Sequence, residues 1–448
     1  MGRGVLGRQK VKTRINGFSC RFGRMTLIMI LGIVVFAVSG CHRAKAQEVR
    51  GKNLVLKTSV QPPYQDVEDG VLTGSTIRLL DCTFDKIDMD YEITLAPRQR
   101  NLDQVRKGQA DGFFLSRLSK NMSIYAEPTA PLVLEKWVWV YHQHRQEQIS
   151  RLLRSGSDLT IGVVLGSNEA EWLMEQGYSD VIQAPSRKSL LALLTADRVD
   201  VVLIDHQAFP HIRDNMAEHA SQFAERFARY VPLVMYFSRD YTRAHPDIIP
   251  KLNRALSDCG PASVALDPAE IEHITRNDIN RIRKWLRAPA LINALQDVVA
   301  RNDSRYGELA SPQKIAALDH EWTVATAHGT ASRLAAEILQ NELSAYLQRV
   351  YRNRNVQIAE AFIFDHKGLI LGMSSPTSNY DQSREAKFAI FKNPSPDAVQ
   401  ITDIRYDAST AKFLSQITMP VTDPRSGQVL AALSVGLDVS VALDGLNF

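Results

Sequence analysis

The four cysteines are the residues of this 448-residue sequence whose chemistry depends most on their surroundings. Cys41 follows Val38-Ser39-Gly40, a run with two small residues before a cysteine that is typical of sites where precursors are cut and the cysteine is acylated. Cys82 and Cys259 then remain in the processed chain, and an even pair in an oxidising compartment predicts a disulfide. Two buried, unpaired thiols are the alternative.

The N-terminus supports this interpretation of Cys41. Residues 27–38 form an apolar run that is about as long as the core of an export signal and shorter than the roughly 20 residues of a spanning helix. Seven basic residues and no acidic one occupy positions 1–40: Arg3, Arg8, Lys10, Lys12, Arg14, Arg21 and Arg24. We therefore predict a signal peptide over 1–41; cleavage near 44–46 or an uncleaved anchor are the alternatives.

Composition sets the class of protein. The sequence is 45% hydrophobic and 23% charged, an ordinary globular balance. Removing seven of the 53 basic residues leaves a slight excess of the 49 acidic ones, so the basic character belongs to the precursor. No nucleic-acid partner is predicted.

Motifs that would assign catalysis are missing from the sequence. It contains no His-Glu-x-x-His, Gly-x-Ser-x-Gly, Cys-x-x-Cys or phosphate-loop pattern. The sequence therefore predicts no metal, no cofactor and no enzyme activity.

Strands and helices alternate over the first half of the chain. Apolar strands are predicted at 53–60, 91–95 and 111–115, and a helix between the first two carries Ile77, Leu80, Phe84 and Ile87 on one face. A second such unit covers 159–204. This order predicts a largely parallel sheet, and the apolar strands at 136–141 and 231–237 are predicted to cross between the two units and form a hinge.

Beyond residue 267 the order of elements changes. A long helical stretch over 279–299 and a helix over 332–351 precede five predicted strands, at 358–364, 369–372, 399–405, 413–420 and 429–437. Helices followed by antiparallel strands with short turns predict an α+β domain.

Residues 53–260 carry a set of motifs in a characteristic order. They are Pro62-Pro63-Tyr64, Gly70 and Gly74, Pro97 with Arg100, the segment 107–112, Pro131, Ile161-Gly162 with Gly166-Ser167, and the segment 198–205. The set resembles the periplasmic solute-binding proteins of the polar amino acid-binding class. The resemblance implies a two-lobed α/β fold of type II over 50–265, with lobe 1 at about 50–137 and 236–265 and lobe 2 at about 138–235.

The resemblance also implies a ligand site between the lobes, where a desolvated polar solute must meet matched donors and acceptors. Tyr64 could stack on the solute, or be a core or hinge tyrosine. Ser167 and Asn168 begin a helix whose amides suit an anion, or Ser167 is a plain N-cap. Asp205 would receive an amine, or lie in a solvent-facing loop. Cys82 and Cys259 both fall in lobe 1, which favours the disulfide.

One departure from this class concerns its ligand-binding arginine, which follows the strand at 111–115 and forks onto a carboxylate. Here Ser116 and Arg117 come directly after that strand, and the usual position falls near Asn121 or Met122. Lys120 could supply only a point charge. Ser116 and Arg117 remain candidate ligand residues, while an α-amino acid ligand is in doubt.

The C-terminal part, 275–448, resembles the PAS-like extracytoplasmic sensor domains called Cache or PDC domains. The resemblance rests on the leading helix, on 317–322, on the hairpin at Asp365-His366-Lys367-Gly368 and on the final hairpin at 420–437. It implies a five-stranded antiparallel sheet. Asp365 and His366 are turn formers by type.

Together these features predict a periplasmic, lipid-anchored protein that clamps a small polar solute and presents it to a membrane transporter or sensor. A ligand-free assembly lipoprotein is the alternative, which the displaced arginine supports. An enzyme of dehydratase type on the same fold is a further alternative, and it would need a placed acid or base.

Overall fold

The computed structural model describes residues 54–155, 159–209, 222–260, 263–309, 311–352, 358–392, 395–407 and 412–443. The predicted signal peptide over 1–41, with the acylation site Cys41, lies outside the described residues. Within those ranges, no helix is both long enough and apolar enough to cross a membrane.

The first sheet is built from eight strands among the described residues. They are β1 (Leu54–Thr58), β4 (Tyr91–Leu95), β5 (Gly112–Arg117), β6 (Ala126–His142), β7 (Ile161–Val164), β8 (Val181–Ala184), β9 (Val201–Asp205) and β10 (Phe223–Ser238), in the order β4-β1-β5-β10-β6-β9-β7-β8. β1 pairs in parallel with β4 and β5, and β7 pairs in parallel with β8 and β9. A small hairpin of β2 (Asp66–Glu68) and β3 (Val71–Thr73) stands apart.

Helices cover both ends of this sheet. Lobe 1 is defined here as β1, β4 and β5 with α1 (Ser75–Lys86), α2 (Arg98–Arg106) and the later helices α6 (Arg239–Ala244) and α7 (Ile248–Cys259). Lobe 2 is β7, β8 and β9 with α3 (Gln146–Ser155), α4 (Asn168–Glu175) and α5 (Arg187–Thr195). The predicted apolar face of α1 is buried at Ile77, Leu80 and Phe84. A disulfide joins Cys82 in α1 to Cys259 at the end of α7.

Two long strands run through both lobes. β6 and β10 are antiparallel partners from Phe223↔His142 to Ser238↔Ala126, so they extend well beyond the predicted strands at 136–141 and 231–237. In β6 the missed part contains Pro128 and Pro131, which lack a donor for the ladder, and in β10 the missed part, 223–230, is rich in charged residues. The structure accommodates Pro131 opposite Val234, where the register shifts on both sides. One cluster of buried side chains extends from Leu54 in lobe 1 to Leu203 in lobe 2.

The helical region that follows is more broken than predicted. It contains α8 (Pro268–Ile274), a π turn at Thr275–Ile279, α9 (Asn280–Leu286), α10 (Pro289–Leu309), α11 (Pro312–Ala327), α12 (Arg333–Leu339) and α13 (Glu342–Tyr351). The predicted helix over 332–351 is wrong in its continuity. The Asn341 side chain accepts a hydrogen bond from the Ser344 N–H and thereby caps a new helix.

The second sheet is antiparallel throughout and larger than the five strands predicted. Its described strands are β11 (Ser263–Val264), β12 (Ile358–Phe364), β13 (Ile370–Met373), β14 (Gln400–Ile401), β15 (Ile404–Asp407), β16 (Lys412–Thr422) and β17 (Val429–Asp438), and α14 (Val439–Ala442) follows. Their order is β11-β15-β16-β17-β12-β13, with β14 also on β16. The predicted strand at 399–405 divides into β14 and β15. β11 arrives from residues that the predicted boundary at 265 assigned to lobe 1.

The second sheet packs against the long strands of the first. Leu134 of β6 and Tyr230 of β10 lie in one buried cluster with Ile404 and Phe413 of the C-terminal region. Lys136 of β6 forms ion pairs with Asp267, at 2.6 Å, and with Glu270, at 2.9 Å. The two strands that connect the lobes are therefore covered on one face by the C-terminal region.

Candidate functional site

The acid cluster, as we name it, consists of Tyr64, Glu135 and Asp205 with the donors Gln61 and Trp137. Tyr64 lies in the turn after β1, and its hydroxyl donates to Asp205 Oδ2 over 2.9 Å. Asp205 ends β9 and stands opposite Trp137 of β6, which places the two side chains on one face of the sheet. Glu135 lies two residues before Trp137 and therefore shares that face.

Both carboxyl groups of the acid cluster are buried, and they accept hydrogen bonds from neutral side chains. Glu135 accepts from Gln61 Nε2 at 2.6 Å and from Trp137 Nε1 at 2.8 Å. Glu135 is 0% exposed and Asp205 is 1% exposed. Asp205 Oδ1 has no hydrogen-bond partner among the described residues. A buried carboxylate without a cation is costly, so this cluster is energetically strained in its ionised form.

Burial dominates the electrostatics of the acid cluster. Loss of hydration raises the pKa of Asp205 to about 6, although the Tyr64 hydrogen bond and Arg187 oppose that shift. Burial also raises the pKa of Glu135 well above its ordinary value, and the neighbouring charge of Asp205 adds to this effect. Arg187 lies near both acids, but its recorded hydrogen bond runs to the Pro62 carbonyl, at 2.9 Å.

The arginine cluster, as we name it, consists of Arg98 and Arg117 with their partners Ser116, Asn168, Glu171 and Glu175. It also lies between the lobes, but its buried charges are guanidinium groups that are paired with carboxylates. Arg98 Nη2 donates to Ser116 Oγ at 2.8 Å, to Asn168 Oδ1 at 3.0 Å and to Glu171 Oε2 at 2.8 Å. Arg117 forms ion pairs with Glu171, at 3.7 Å, and with Glu175. Lobe 1 supplies the guanidinium groups and α4 of lobe 2 supplies the carboxylates.

A bulge in β5 aims Ser116 and Arg117 into this cluster. Leu115 has a φ of 61°, and the pairing of β5 with β10 shifts register at this point. Asn168 of lobe 2 stabilises the bulge through two hydrogen bonds to its backbone. The Asn168 Nδ2 donates to the Leu115 carbonyl at 3.2 Å, and its Oδ1 accepts from the Arg117 N–H at 3.1 Å. Left-handed backbone at a leucine is uncommon and is typical of functional sites.

More positive charge surrounds the arginine cluster. Arg229 of β10 lies over the Trp172 ring, 5.0 Å from its centroid, and its positive charge interacts with that of Arg117. Burial lowers the pKa of Arg98, while the Glu171 carboxylate opposes that shift. Arg98 Nε and Nη1 are buried without hydrogen-bond partners among the described residues.

The predicted ligand residues fall into these two clusters, with one exception. Tyr64 and Asp205 lie in the acid cluster; Ser116, Arg117 and Asn168 lie in the arginine cluster. Ser167 accepts from the Ala170 N–H at 3.2 Å and is the N-cap of α4. Asp205 is buried at a strand end, not in a solvent-facing loop.

Three central residues were missed by the sequence predictions: Arg98, Glu135 and Glu171. Glu135 and Lys136 are charged residues at the edge of an apolar run, which is a signal that could have been used. Arg98 and Glu171 give no comparable signal, because both lie on exposed-looking helical segments and meet only through the fold.

Comparisons with known proteins give similarities of fold. No protein-family model matches this sequence, and no curated protein matches it. A histidine kinase sensor domain with similarity to periplasmic binding proteins is 15% identical, with a TM-score of 0.39 over 47% of this chain and 90% of that chain. The arginine-, lysine-, histidine-binding protein ArtJ from Geobacillus stearothermophilus is 16% identical, with a TM-score of 0.38 over 46% of this chain and 89% of that one.

A third solved structure, the GluR0 ligand-binding core from Nostoc punctiforme in complex with L-glutamate, is 15% identical. Its TM-score is 0.37 over 46% of this chain and 92% of that chain. Each similarity spans a little under half of this chain.

Proposed function

We propose that this chain is an exported solute-binding protein that closes two lobes over a small polar solute and presents it to a membrane transporter or sensor. The observation that supports this best is the set of direct polar contacts between the lobes. Tyr64 to Asp205, Arg98 to Asn168 and Arg187 to the Pro62 carbonyl all join lobe 1 to lobe 2. Buried polar groups that contact each other between the lobes could instead contact a polar solute that binds there.

The position of the contacts agrees with this proposal. Asp205 ends β9, Arg117 ends β5 and Tyr64 follows β1. The carboxyl ends of parallel strands are where open α/β sheets bind ligands. β6 and β10 connect the lobes, and bending of two strands is a simple hinge for closure.

The proposal extends to location and organisation. The signal peptide over 1–41 and acylation of Cys41 would tether the protein to a membrane outside the cytoplasm, where the disulfide between Cys82 and Cys259 would be stable. A C-terminal region of Cache type, resting on the hinge strands, would favour signalling through a separate membrane protein.

A thermal-shift screen of the purified protein tests this function. Amino acids, polyamines, organic acids and sugars would be the library, with the disulfide kept intact. A ligand at about 100 times its dissociation constant should stabilise the protein by roughly 2.7 kcal/mol. X-ray scattering should show no expansion of the protein when the ligand is bound. If no compound in the library stabilises the protein, the binding proposal is wrong and an assembly role is favoured.

An enzyme remains a second candidate because of one observation. The buried carboxyl of Asp205, with its pKa raised to about 6, has the character of a general acid at neutral pH. Recovery of the bound solute unchanged after prolonged incubation separates binding from catalysis.

A further inference from the structure

The two clusters between the lobes differ in which charges are already neutralised, and this difference bears on the ligand class. The inference rests on the proposed solute-binding function. In the arginine cluster, Glu171 of the chain itself lies 2.8 Å from Arg98 and 3.7 Å from Arg117. A carboxylate held by two guanidinium groups is the arrangement that a ligand carboxylate would require.

Glu171 is fixed in that position by its helix. Ser167 caps α4, and Asn168 accepts from Arg98 and from the Arg117 backbone N–H. Only 22% of the Glu171 side chain is exposed. A free amino acid or organic acid would therefore have to displace a tethered carboxylate whose effective concentration is high.

The acid cluster has the reverse imbalance. The charged groups acting on Asp205 and Glu135 are Glu169 and Arg187, so three carboxylates face one guanidinium. That guanidinium donates to the Pro62 carbonyl and forms no recorded ion pair with either buried acid in the described part of the chain. Asp205 Oδ1 is buried and has no hydrogen bond of good geometry among the described residues, although the Gln207 backbone N–H also acts on this carboxyl.

Aromatic rings lie beside these acids. Tyr64 and Trp137 donate to Asp205 and Glu135, and the Trp137 ring meets Trp172 edge-on with centroids 5.9 Å apart. Carboxylates beside aromatic rings suit an organic ammonium group. A positive ligand would also remove the cost of ionising two adjacent buried carboxyls.

We propose that the cleft binds a small organic amine without a carboxylate, held by Asp205 and Glu135, and that Glu171 excludes amino acids by occupying the arginine cluster. Glu171 is thus a specificity-determining residue. The chain supplies its own anion where an amino acid would place its carboxylate, and it leaves the cation position for the ligand.

Matched pairs of ligands test this proposal by isothermal titration calorimetry. Each pair is an amine and the amino acid from which it differs by one carboxylate: cadaverine and lysine, putrescine and ornithine, agmatine and arginine. In the wild-type protein we expect at least one amine to bind tenfold or more tightly than its amino acid. Equal or tighter binding of the amino acids would overturn the proposal.

Two variants of Glu171 complete the test. Glu171→Ala frees both arginines and should strengthen binding of the matching amino acid at least tenfold relative to the amine. Glu171→Gln preserves the side-chain shape and should give a smaller gain, which keeps the test valid if the alanine variant does not fold. No gain for an amino acid in either folded variant would contradict the role of Glu171.

The ligand class and the binding function fail in different ways. If none of the three amines and three amino acids binds, while a sugar or an organic acid stabilises the protein in the thermal screen, the amine proposal is wrong and the solute-binding proposal is supported. If nothing in the screen binds to the wild type or to either variant, both are wrong. Asp205→Asn should abolish binding of the amine if the proposal holds.

Discussion

Glu135 and Lys136 are consecutive residues of β6, point to opposite faces of the sheet and are both buried, yet their partners differ completely. Lys136 faces the C-terminal region and contacts the carboxylates of Asp267 and Glu270. Glu135 faces the cleft and accepts from the neutral groups of Gln61 and Trp137. Strand β6 thus buries a lysine beside two carboxylates on one face and an acid beside neutral donors on the other.

The comparison separates a structural charge from a functional one. A buried charge with counter-ions is stable only while its partners stay in place, so Lys136 fixes the C-terminal region on the hinge. A buried acid without a cation lowers stability and is retained where a ligand supplies the missing charge.

The largest expected effect is that of Lys136→Met. Removing the ammonium leaves Glu270, which is 0% exposed, without its cation. Removing one member of a buried ion pair lowers the free energy of unfolding by about 3 kcal/mol, which urea denaturation would measure. The neighbouring Glu135→Gln is the matched control and should keep or raise stability. A loss from Glu135→Gln as large as that from Lys136→Met would invalidate the comparison.

Arg98→Met should destabilise the protein by about 2 kcal/mol, because Glu171 and Asn168 lose their shared donor. The effect is smaller than at Lys136 since Glu171 keeps 22% of its side chain exposed. Arg100→Met, an exposed position of the same helix, is the control for chemical denaturation. A difference of under about 0.5 kcal/mol between the two variants would show that the arginine cluster contributes little to lobe contact.

Asp205→Asn should change the pH dependence of stability. The pKa of Asp205 is raised by burial from 3.8 to about 6, so the folded state holds this proton more tightly than the unfolded state. That contribution to stability is present below pH 3.8 and is lost as pH rises through about 6. The variant should therefore be more stable than the wild type at pH 7.5, by roughly 2–3 kcal/mol, and similar to it near pH 4.

Urea denaturation at several pH values would measure that profile. A variant that is less stable than the wild type at pH 7.5 would mean that Asp205 is neutralised by a partner, and the two faces of the hinge would then be alike.

The smallest effect is expected from Tyr64→Phe, which removes one hydrogen bond to Asp205 and should cost about 1 kcal/mol. Because that hydrogen bond lowers the pKa of Asp205, its loss should move the midpoint of the pH profile upward. Tyr178→Phe, at a tyrosine that is 40% exposed, serves as the control. An unchanged midpoint would indicate that the Tyr64 hydroxyl does not interact with the carboxyl in solution.

Local patterns in the sequence predicted many of the helices and strands. The spacing of Ile77, Leu80 and Phe84 predicts a helix and its buried face, because residues three and four positions apart lie on the same side of a helix. The alternation of apolar strands and helices predicted a largely parallel sheet, and β1 pairs in parallel with β4 and β7 with β9. The resemblance of residues 53–260 to solute-binding proteins implied one ligand site for Tyr64 and Asp205.

The pairing of charged residues depends on how distant segments pack. Arg98 and Glu171 are 73 positions apart and pair because α2 and α4 approach across the cleft. Period-two geometry places Glu135 and Lys136 on opposite faces of β6, but it does not say what covers each face. The capped start of α8, with Asp267 and Glu270, covers one face, and the turn with Gln61 and Tyr64 covers the other. Contacts between such distant segments depend on packing, and no local pattern in the sequence encodes them.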